Sequence, residues 1–475
     1  MTPKSWRRPA GLALCLLTAL ASAAAPAQTS ASAPTDEALA PGALIDPREP
    51  VAWGGRLLFN AFHRSVGQAL WAADPATGEL QRLLPLRSGF RGGSASALTV
   101  FDGAVFFVAD DGFHGVELWR SDGTAAGTRR VKDIVLGEAG SGPAALTVFG
   151  RWLYFTAAGD GRGQRLWRTR GDEASTQPVP GAEALANPRQ LTVAGGRLFF
   201  TATTAAAGHE LWAIDGEQAA PRLLRDIRPG PEDGAPGQLT AVGATLFFTA
   251  TDGVHGWELW KSDGSASGTT LVKDIRPGPD AARPNHLTAA GAQLFFTADD
   301  GRHGVELWRS DGTAEGTRLV KDLRPGAQGS GASVLQALDG GGLLFAATDG
   351  ASGIELWRSD GSEAGTVQVK DIAPGPASSL PSELAPLGGR VVFAASVGGG
   401  APEPWISDGR PEGTRPLLAG GGPAPAFPRR FVPFGNGVAF IARDAAGNDR
   451  LWLVEPGEPG AAARLIGTPL AARLR

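Results

Sequence analysis

The sequence is poor in the residues that most chemistry-bearing sites use. Its 475 residues include one cysteine, one tyrosine, one methionine and six histidines. The single cysteine, Cys15, lies in an N-terminal segment that we expect to be removed, so no disulfide framework is expected in the mature chain. Lys and Arg (44) nearly balance Asp and Glu (48), and no basic stripe stands out. This balance argues against nucleic-acid binding.

The N-terminus has the pattern of an export signal. Lys4, Arg7 and Arg8 precede an apolar run over 12–25 that is short for a membrane span, and small residues follow it. We predict a signal peptide over 1–27 and a flexible linker over 28–41, with an uncleaved anchor as the alternative. The mature chain is then expected in the periplasm or outside the cell, without a membrane span.

Sustained helical periodicity is also absent, and a tryptophan repeat takes its place. The spacings between successive tryptophans are 48, 48, 45, 48, 48, 49, 48 and 47 residues. The repeated positions are Trp71, Trp119, Trp167, Trp212, Trp260, Trp308, Trp357, Trp405 and Trp452. Residues 42–475 therefore divide into nine repeats of about 48 residues.

Each repeat contains four short runs with strand character, separated by turn residues. In one repeat these are 287–291, 293–299, 305–311 and a run that begins at Gly316, followed by a Pro-Gly break. Four antiparallel strands per repeat are typical of a propeller blade. We predict an all-β fold, a single β-propeller of nine four-stranded blades. Eight blades with a decayed edge unit are the alternative, and an open twisted array is a third.

The hairpin around the DGTAEG turn predicts a cross-strand register. Trp308 is expected opposite Leu319, and Glu306 opposite Lys321 as an ion pair. The same Glu and basic residue recur together in other repeats. These pairs are Glu117 with Lys132, Glu210 with Arg225, Glu258 with Lys273, and Glu355 with Lys370.

An aspartate follows most of the repeat tryptophans by three residues and is itself followed by glycine. In the four best-preserved repeats, where the tryptophans are Trp119, Trp260, Trp308 and Trp357, these are Asp122, Asp263, Asp311 and Asp360. Asp-Gly at a hairpin caps its own turn, so we interpret these residues as structural. A second series is expected to accept backbone N–H groups in the connectors: Asp133, Asp226, Asp274, Asp322 and Asp371.

The wording of four repeats resembles a known family. ELWRSDGTAAGT (117–128), ELWKSDGSASGT (258–269), ELWRSDGTAEGT (306–317) and ELWRSDGSEAGT (355–366) are similar to the ELWxxDGT repeat of secreted bacterial proteins. The resemblance covers nearly all of the mature chain. It implies an exported, propeller-like protein, and it brings no assigned catalytic residue. LWAADPATGEL (70–80) is also similar to a quinoprotein hairpin, although the next strand lacks the tryptophan of that motif.

Candidate ligand-binding residues lie in turns and at one break in the repeat. His114, His255 and His303 occupy equivalent turns, and Asn285 and His286 are absent from the other repeats. Equivalent residues of separate blades are expected too far apart to share an ion, so we predict no metal site and no cofactor. Calcium is the alternative, at the acid pairs Asp110-Asp111 and Asp299-Asp300.

These features favour a binding or interaction scaffold at the cell envelope or outside it. Near-identical blades with short turns offer no obvious reactive centre. We expect a monomer with a protein or glycan partner, and membrane-protein assembly is a weaker version of this idea. The alternative is a propeller enzyme, such as a hydrolase, a lyase or a quinoprotein-like enzyme, with its site at the mouth of the channel. Convergence of an acid with another acid or a histidine in the channel would favour the enzyme.

Overall fold

Every regular element is a β-strand in the computed structural model, which describes residues 44–63, 67–86, 95–159, 161, 163–419, 424–457 and 462–466. The predicted signal peptide and linker lie outside these residues. Consecutive strands form nine sheets of four antiparallel strands, each built from one continuous segment. The sheets are the blades of a nine-bladed β-propeller, and we number them 1 to 9 in chain order.

The strands occupy the same four places in every blade. The first strands are β1 (Leu44–Trp53), β5 (Ser96–Phe101), β9 (Ala144–Phe149), β13 (Ala186–Ala194), β17 (Gly237–Val242), β21 (Asn285–Ala290), β25 (Ser333–Ala337), β29 (Ser382–Leu387) and β33 (Ala426–Phe434). The second strands are β2 (Arg56–His63), β6 (Ala104–Asp110), β10 (Trp152–Ala158), β14 (Arg197–Thr204), β18 (Thr245–Ala250), β22 (Gln293–Asp299), β26 (Leu343–Ala347), β30 (Arg390–Ala395) and β34 (Gly437–Arg443).

The tryptophan strand is the third of each blade. The third strands are β3 (Gly67–Ala73), β7 (Val116–Ser121), β11 (Gln164–Thr169), β15 (Gly208–Ile214), β19 (Glu258–Ser262), β23 (Val305–Ser310), β27 (Glu355–Ser359), β31 (Glu403–Ser407) and β35 (Asp449–Val454). The fourth strands are β4 (Leu80–Pro85), β8 (Arg129–Arg130), β12 (Gln177–Pro178), β16 (Arg222–Arg225), β20 (Thr270–Lys273), β24 (Arg318–Leu319), β28 (Val367–Lys370), β32 (Arg415–Pro416) and β36 (Arg464–Leu465).

The first strands form the inner wall of the ring. Each packs beside the first strand of the next blade, and β33 of blade 9 packs against β1 of blade 1. Among the described strands, none is exchanged between the first and last blades, and side chains and loops connect these two blades. Arg430 forms an ion pair with Glu49 (Nη2–Oε1 3.0 Å), and Arg464 donates to the Pro75 carbonyl (3.0 Å) across this junction.

The core lies between the blades. The central second strands are buried on both faces, which matches their continuous apolar sequences. Between blades 5 and 6, Phe247, Leu259 and Ile275 of one blade pack against Phe296 and Trp308 of the next. A single blade cannot bury both of its faces alone, so each blade depends on its neighbours.

The predicted register of the outer hairpin is confirmed at the tryptophan. Trp308 lies opposite Leu319, and Trp260 lies opposite Leu271. The predicted ion pair between Glu306 and Lys321, and its equivalents, is wrong. In blade 5, Lys273 lies opposite Leu259, because a bulge adds one residue to the fourth strand. The bulge moves the lysine to the face of the sheet opposite Glu258.

The glutamates and lysines of these predicted pairs have separate partners. Glu306 accepts hydrogen bonds from the Ser330 hydroxyl (2.5 Å) and the Arg324 backbone N–H (3.2 Å), both in the connector to the next blade. Lys321 donates to the Thr366 carbonyl in the hairpin of the next blade (3.0 Å). The two residues recur together because both stabilise the same junction between blades.

The hairpin aspartates cap their own turns, as predicted. The Asp311 carboxylate accepts the Thr313 N–H (2.8 Å) and hydroxyl (2.7 Å), and these bonds lower the pKa of Asp311. Equivalent bonds form at Asp122, Asp263 and Asp360. In the connectors, Asp226, Asp274 and Asp371 each accept the N–H of the glycine four residues later, which confirms the prediction for these three.

Candidate functional site: the connector face and the channel

The two faces of the ring are built from different loops. One face carries the turns between second and third strands, the connectors between blades and the starts of the first strands. We call it the connector face. The opposite face carries the turns between first and second strands and the outer hairpins. Strand order alone dictates this division, since alternate strands run in opposite directions.

The three turn histidines lie on the connector face, each bound to an aspartate of its own turn. The Nδ1–Oδ2 distances are 2.8 Å for His114 and Asp111, 2.7 Å for His255 and Asp252, and 2.8 Å for His303 and Asp300. Each aspartate also accepts the backbone N–H of its histidine. The motif DGxHG is therefore a self-contained turn.

Electrostatics strengthens this turn in the repeats where the pKa values shift. The hydrogen bond that His255 donates to the Asp252 carboxylate raises the pKa of His255, and the bond to Asp300 does the same for His303. Burial raises the pKa of Asp252, but hydrogen bonds from His255 and Val254 outweigh it, so that this pKa lies below its ordinary value. The two shifts have opposite signs, so each hydrogen bond stabilises the charged forms of its histidine and aspartate.

The other predicted ligand residues lie on the inner wall. His286 and Asn285 begin β21, and both are exposed. His286 has a left-handed backbone (φ 55°), and its N–H is hydrogen-bonded to the Asn285 side chain (2.8 Å). In the described part of the chain, no hydrogen bond joins either residue to a turn histidine, although the start of β21 and these turns share the connector face.

The acid pairs proposed for calcium also cap turns. Asp110 accepts the Gly112 N–H (2.7 Å), and Asp299 accepts the Gly301 N–H (2.7 Å) and an Arg276 guanidinium group (3.1 Å). Among the residues that the structure describes, no group of three or more His, Cys, Asp or Glu side chains is placed to hold a metal ion. Likewise, no helix in this part of the chain is long and apolar enough to cross a bilayer.

Exposed apolar side chains are concentrated on the connector face. Fourteen large apolar residues are exposed in the described ranges, and only Val100, Val148 and Val193 lie towards the opposite face. The other eleven, on the connector face, are Phe62, Phe113, Val116, Leu136, Val254, Trp257, Val305, Leu380, Val397, Leu418 and Phe427. Sequence reasoning noted Trp257 but missed Phe113 and Val254. The signal available was an apolar residue in the middle of a DGxHG turn.

The inner wall has its own irregularity in each blade. The residue at one equivalent position of every first strand has a left-handed backbone: Glu49, Ala97, Ala145, Gln190, Gln238, His286, Val334, Glu383 and Arg430. Where this residue is polar, it reaches the next blade in several cases. Gln238 donates to the Pro284 carbonyl (3.1 Å), and Glu383 accepts the Arg430 N–H (2.9 Å).

A cavity of about 390 Å³ lies where the inner walls of blades 9, 1 and 2 meet. Its lining includes Arg48, Glu49, Ser96, Arg429 and Arg430. Arg429 forms two hydrogen bonds to Asp449 (3.2 and 2.7 Å), and these lower the pKa of Asp449. The lining holds three guanidinium groups and one carboxylate; Arg430 is paired with Glu49, and Arg429 is paired with Asp449.

No family model and no curated protein matches the sequence. Solved structures similar to the fold include a puromycin hydrolase mutant, with 17% identity and a TM-score of 0.37 over 76% of this chain and 58% of that chain. A prolyl endopeptidase has 12% identity and a TM-score of 0.44 over 87% and 54%. The β-propeller domain of the Trilobed protease from Pyrococcus furiosus has 12% identity and a TM-score of 0.36 over 69% and 98%. This chain spans little more than half the length of the first two proteins.

Proposed function

We propose that this chain is an exported scaffold that binds a protein partner through its connector face. The observation that carries the proposal is the uneven distribution of exposed apolar side chains, eleven on this face and three towards the other. Large apolar residues exposed on one face of a protein supply the apolar contacts of an interaction surface. Phe113, which is 74% exposed, and Trp257, which is 39% exposed, are the aromatic residues that such an interface uses best.

Charged groups on the same face support recognition of a polypeptide. The hydrogen-bonded His255–Asp252 and His303–Asp300 pairs lie within a few residues of the exposed Val254, Trp257 and Val305. Apolar anchors with a polar surround are the usual anatomy of a protein interface. The resemblance to secreted bacterial ELWxxDGT-repeat proteins supports the same type of role at the envelope or outside the cell.

Site-specific photocross-linking in the native host tests the proposal. A photoreactive phenylalanine analogue at position 113 or 257 is expected to give one discrete adduct with a partner protein. The same analogue at position 148 or 193, on the opposite face, is the matched control. Equal adducts at all four positions, or none at 113 and 257, would overturn the proposal. Binding of the protein to a glycan on an array, lost on substitution of residues of this face, would favour a glycan partner.

Export is tested separately from binding. We expect the mature protein in periplasm or medium with residues 1–27 removed, as judged by fractionation and N-terminal sequencing. Recovery only from the cytosol with residues 1–23 retained would contradict export. Binding at the connector face could still be measured on that material.

The channel cavity favours a second candidate function, an enzyme that acts on a small anionic substrate. The supporting observation is the group of Arg48, Arg429 and Arg430 beside Glu49 in a cavity of about 390 Å³. Purified protein would be assayed on panels of hydrolase, lyase and quinoprotein substrates with and without Arg430→Met. Turnover that the variant loses would support the enzyme, and turnover unchanged by the variant would remove this site from consideration.

A further inference from the structure

Blade 3 departs from the other blades at one place on the connector face. Its tryptophan lies 45 residues before the next one, whereas every other spacing is 47 to 49 residues. The missing residues belong to the connector. In the connector that follows blade 4, Ala235, which has a left-handed backbone, lies eight positions after Ile227. In the connector that follows blade 3, the equivalent left-handed residue, Asn187, lies only five positions after Ala182.

Two large or charged residues are replaced by small ones at the same place. The fifteenth residue after the tryptophan is Ile134, Ile227, Ile275, Leu323 or Ile372 in the well-preserved blades, but Ala182 in blade 3. The turn aspartate, which is Asp111 in blade 2, becomes Gly159. A Cβ at residue 159 would lie 2.6 Å from Cζ2 of Trp167, so glycine is needed for the observed position of the indole ring.

An open cavity of about 290 Å³ lies beside Trp167 and this shortened connector. The apolar part of its lining is Leu166, Trp167, Pro178, Val179 and Ala182, with Gly159 at the turn. In blade 5, Ile275 is buried in the core between blades and packs with Trp308. Ala182 takes the place of that isoleucine in the core between blades 3 and 4, where Trp212 of blade 4 packs, and it also lines the cavity.

Arg165 holds the walls of this cavity in place. It lies two residues before its tryptophan, where blade 6 has Glu306. It donates to the Leu185 carbonyl (2.5 Å) and the Glu183 carbonyl (3.4 Å) of the connector. Trp167 is fixed as well, because its N–H donates to the Ala157 carbonyl (3.2 Å). The cavity is therefore preformed, and its indole presents carbon atoms rather than a donor.

We propose that this cavity binds an aromatic ring. An apolar cavity of about 150 Å³ is enough to hold benzene, so about 290 Å³ suits a six-membered or a fused bicyclic ring. The indole of Trp167 offers an aromatic contact, and Arg165 and Glu183 are polar lining residues for a substituent. The ring belongs either to a free small molecule or to an aromatic side chain of a polypeptide. This site goes beyond the protein-binding surface proposed above.

Ligand-observed fluorine NMR with two probes tests the proposal. The probes are 5-fluoroindole, which is a ring alone, and N-acetyl-5-fluorotryptophanamide, which has the ring in a peptide frame. We expect concentration-dependent line broadening with the wild-type protein and at least a tenfold weaker affinity for Ala182→Ile, which restores the residue of the other blades. Ala182→Val should give an intermediate affinity, and it serves if the isoleucine variant does not fold. Ile372→Leu, at the same position of blade 7, is the control and should bind like wild type, because Ile372 packs in a core that does not include Trp167.

The two probes also distinguish the source of the ring. Equal or tighter binding of the amide supports a polypeptide side chain, whereas binding of 5-fluoroindole alone supports a free small molecule. The proposal is overturned if neither probe broadens at millimolar concentration, or if both filled variants bind as well as wild type. Thermal unfolding of each variant confirms that a lost signal reflects the cavity rather than misfolding.

Discussion

Blades 3 and 5 fasten their connectors with opposite charges. In blade 5, the buried Glu258 accepts backbone N–H groups from Ile275 (3.0 Å), Arg276 (3.4 Å) and Ala282 (3.1 Å). In blade 3, Arg165 stands at this position and donates to connector carbonyls instead. The longer connector turns its donors inward, and the shorter one turns its acceptors inward.

This difference indicates that the connector determines which residue is tolerated two positions before the tryptophan. A buried carboxylate without donors costs several kcal/mol, so a glutamate is tolerated only above a connector that supplies N–H groups. The shorter connector of blade 3 offers carbonyl acceptors instead of those donors, and the residue at this position is a cationic arginine instead of a glutamate. The cavity of blade 3 lies beside this shorter connector, whose Ala182 and Glu183 line it. A symmetric array thus acquires one site that is unlike the others.

The largest expected effect comes from giving blade 5 the small residue of blade 3. Ile275→Ala removes a buried side chain from the core between blades 5 and 6, where no shorter connector compensates. We expect a loss of about 2–5 kcal/mol in the free energy of unfolding, measured with guanidinium chloride.

Ala182→Ile provides the reciprocal test. Because it fills existing space, it should leave the midpoint of unfolding unchanged or raise it. If Ile275→Ala proved harmless, or Ala182→Ile as destabilising as Ile275→Ala, the two blades would not differ in packing as the structure indicates.

The next effect concerns pH and the buried glutamates that blade 3 lacks. Burial raises the pKa of Glu258, and that of Glu210, to about 7. Between about pH 4.5 and 7, the folded protein holds a proton on each that the unfolded chain has released. Stability should therefore fall as the pH rises through this window, by about 1.4 kcal/mol per pH unit for each group, and level off above about pH 7.

Glu258→Gln isolates one of these two contributions. The variant should be less stable overall, because the amide offers only one acceptor oxygen for three N–H groups, but its stability should depend less steeply on pH. Arg165→Gln in blade 3 is the matched control, with a pH slope like that of wild type. Slopes would be measured from unfolding midpoints at pH 5, 6, 7 and 8. An unchanged slope in Glu258→Gln would contradict the raised pKa.

The fold could be predicted because large, easily recognised tryptophan residues mark its repeat. The nine blades are visible in the spacing of the tryptophans and in the Asp-Gly turns. The tryptophans recur because each packs between sheets, and the Asp-Gly pairs recur because the turn requires their backbone conformations. The pairing of Trp308 with Leu319 follows from turn geometry alone. The lysine register could not be predicted, because the bulge between Leu271 and Lys273 leaves no mark in the alternation of side chains.

The site was harder to predict than the fold. The turn histidines stood out in the sequence, but each is bound to an aspartate of its own turn, as at His303 and Asp300. The short spacing after Trp167 and the alanine at 182 were visible in the sequence. Their meaning required knowing that Ile275 and its equivalents fill the space between blades, which is a property of packing and not of any one repeat.

The smallest expected effect comes from the lysine that joins blades 5 and 6. Lys273 donates to the Thr317 carbonyl of the next blade (2.7 Å), whereas blade 3 has Pro180 at this position and no equivalent bond. Lys273→Met keeps the aliphatic stem and removes one partly buried hydrogen bond. We expect a loss of about 1 kcal/mol.

Lys273→Arg should restore that stability, because Arg225 of blade 4 already makes the equivalent bond to the Thr269 carbonyl (2.8 Å). The decisive measurement is the difference between the two variants in one denaturant titration. Equal stability of Lys273→Met and Lys273→Arg would mean that the hydrogen bond does not join the blades. The proline at this position of blade 3, Pro180, would then cost no stability between blades 3 and 4.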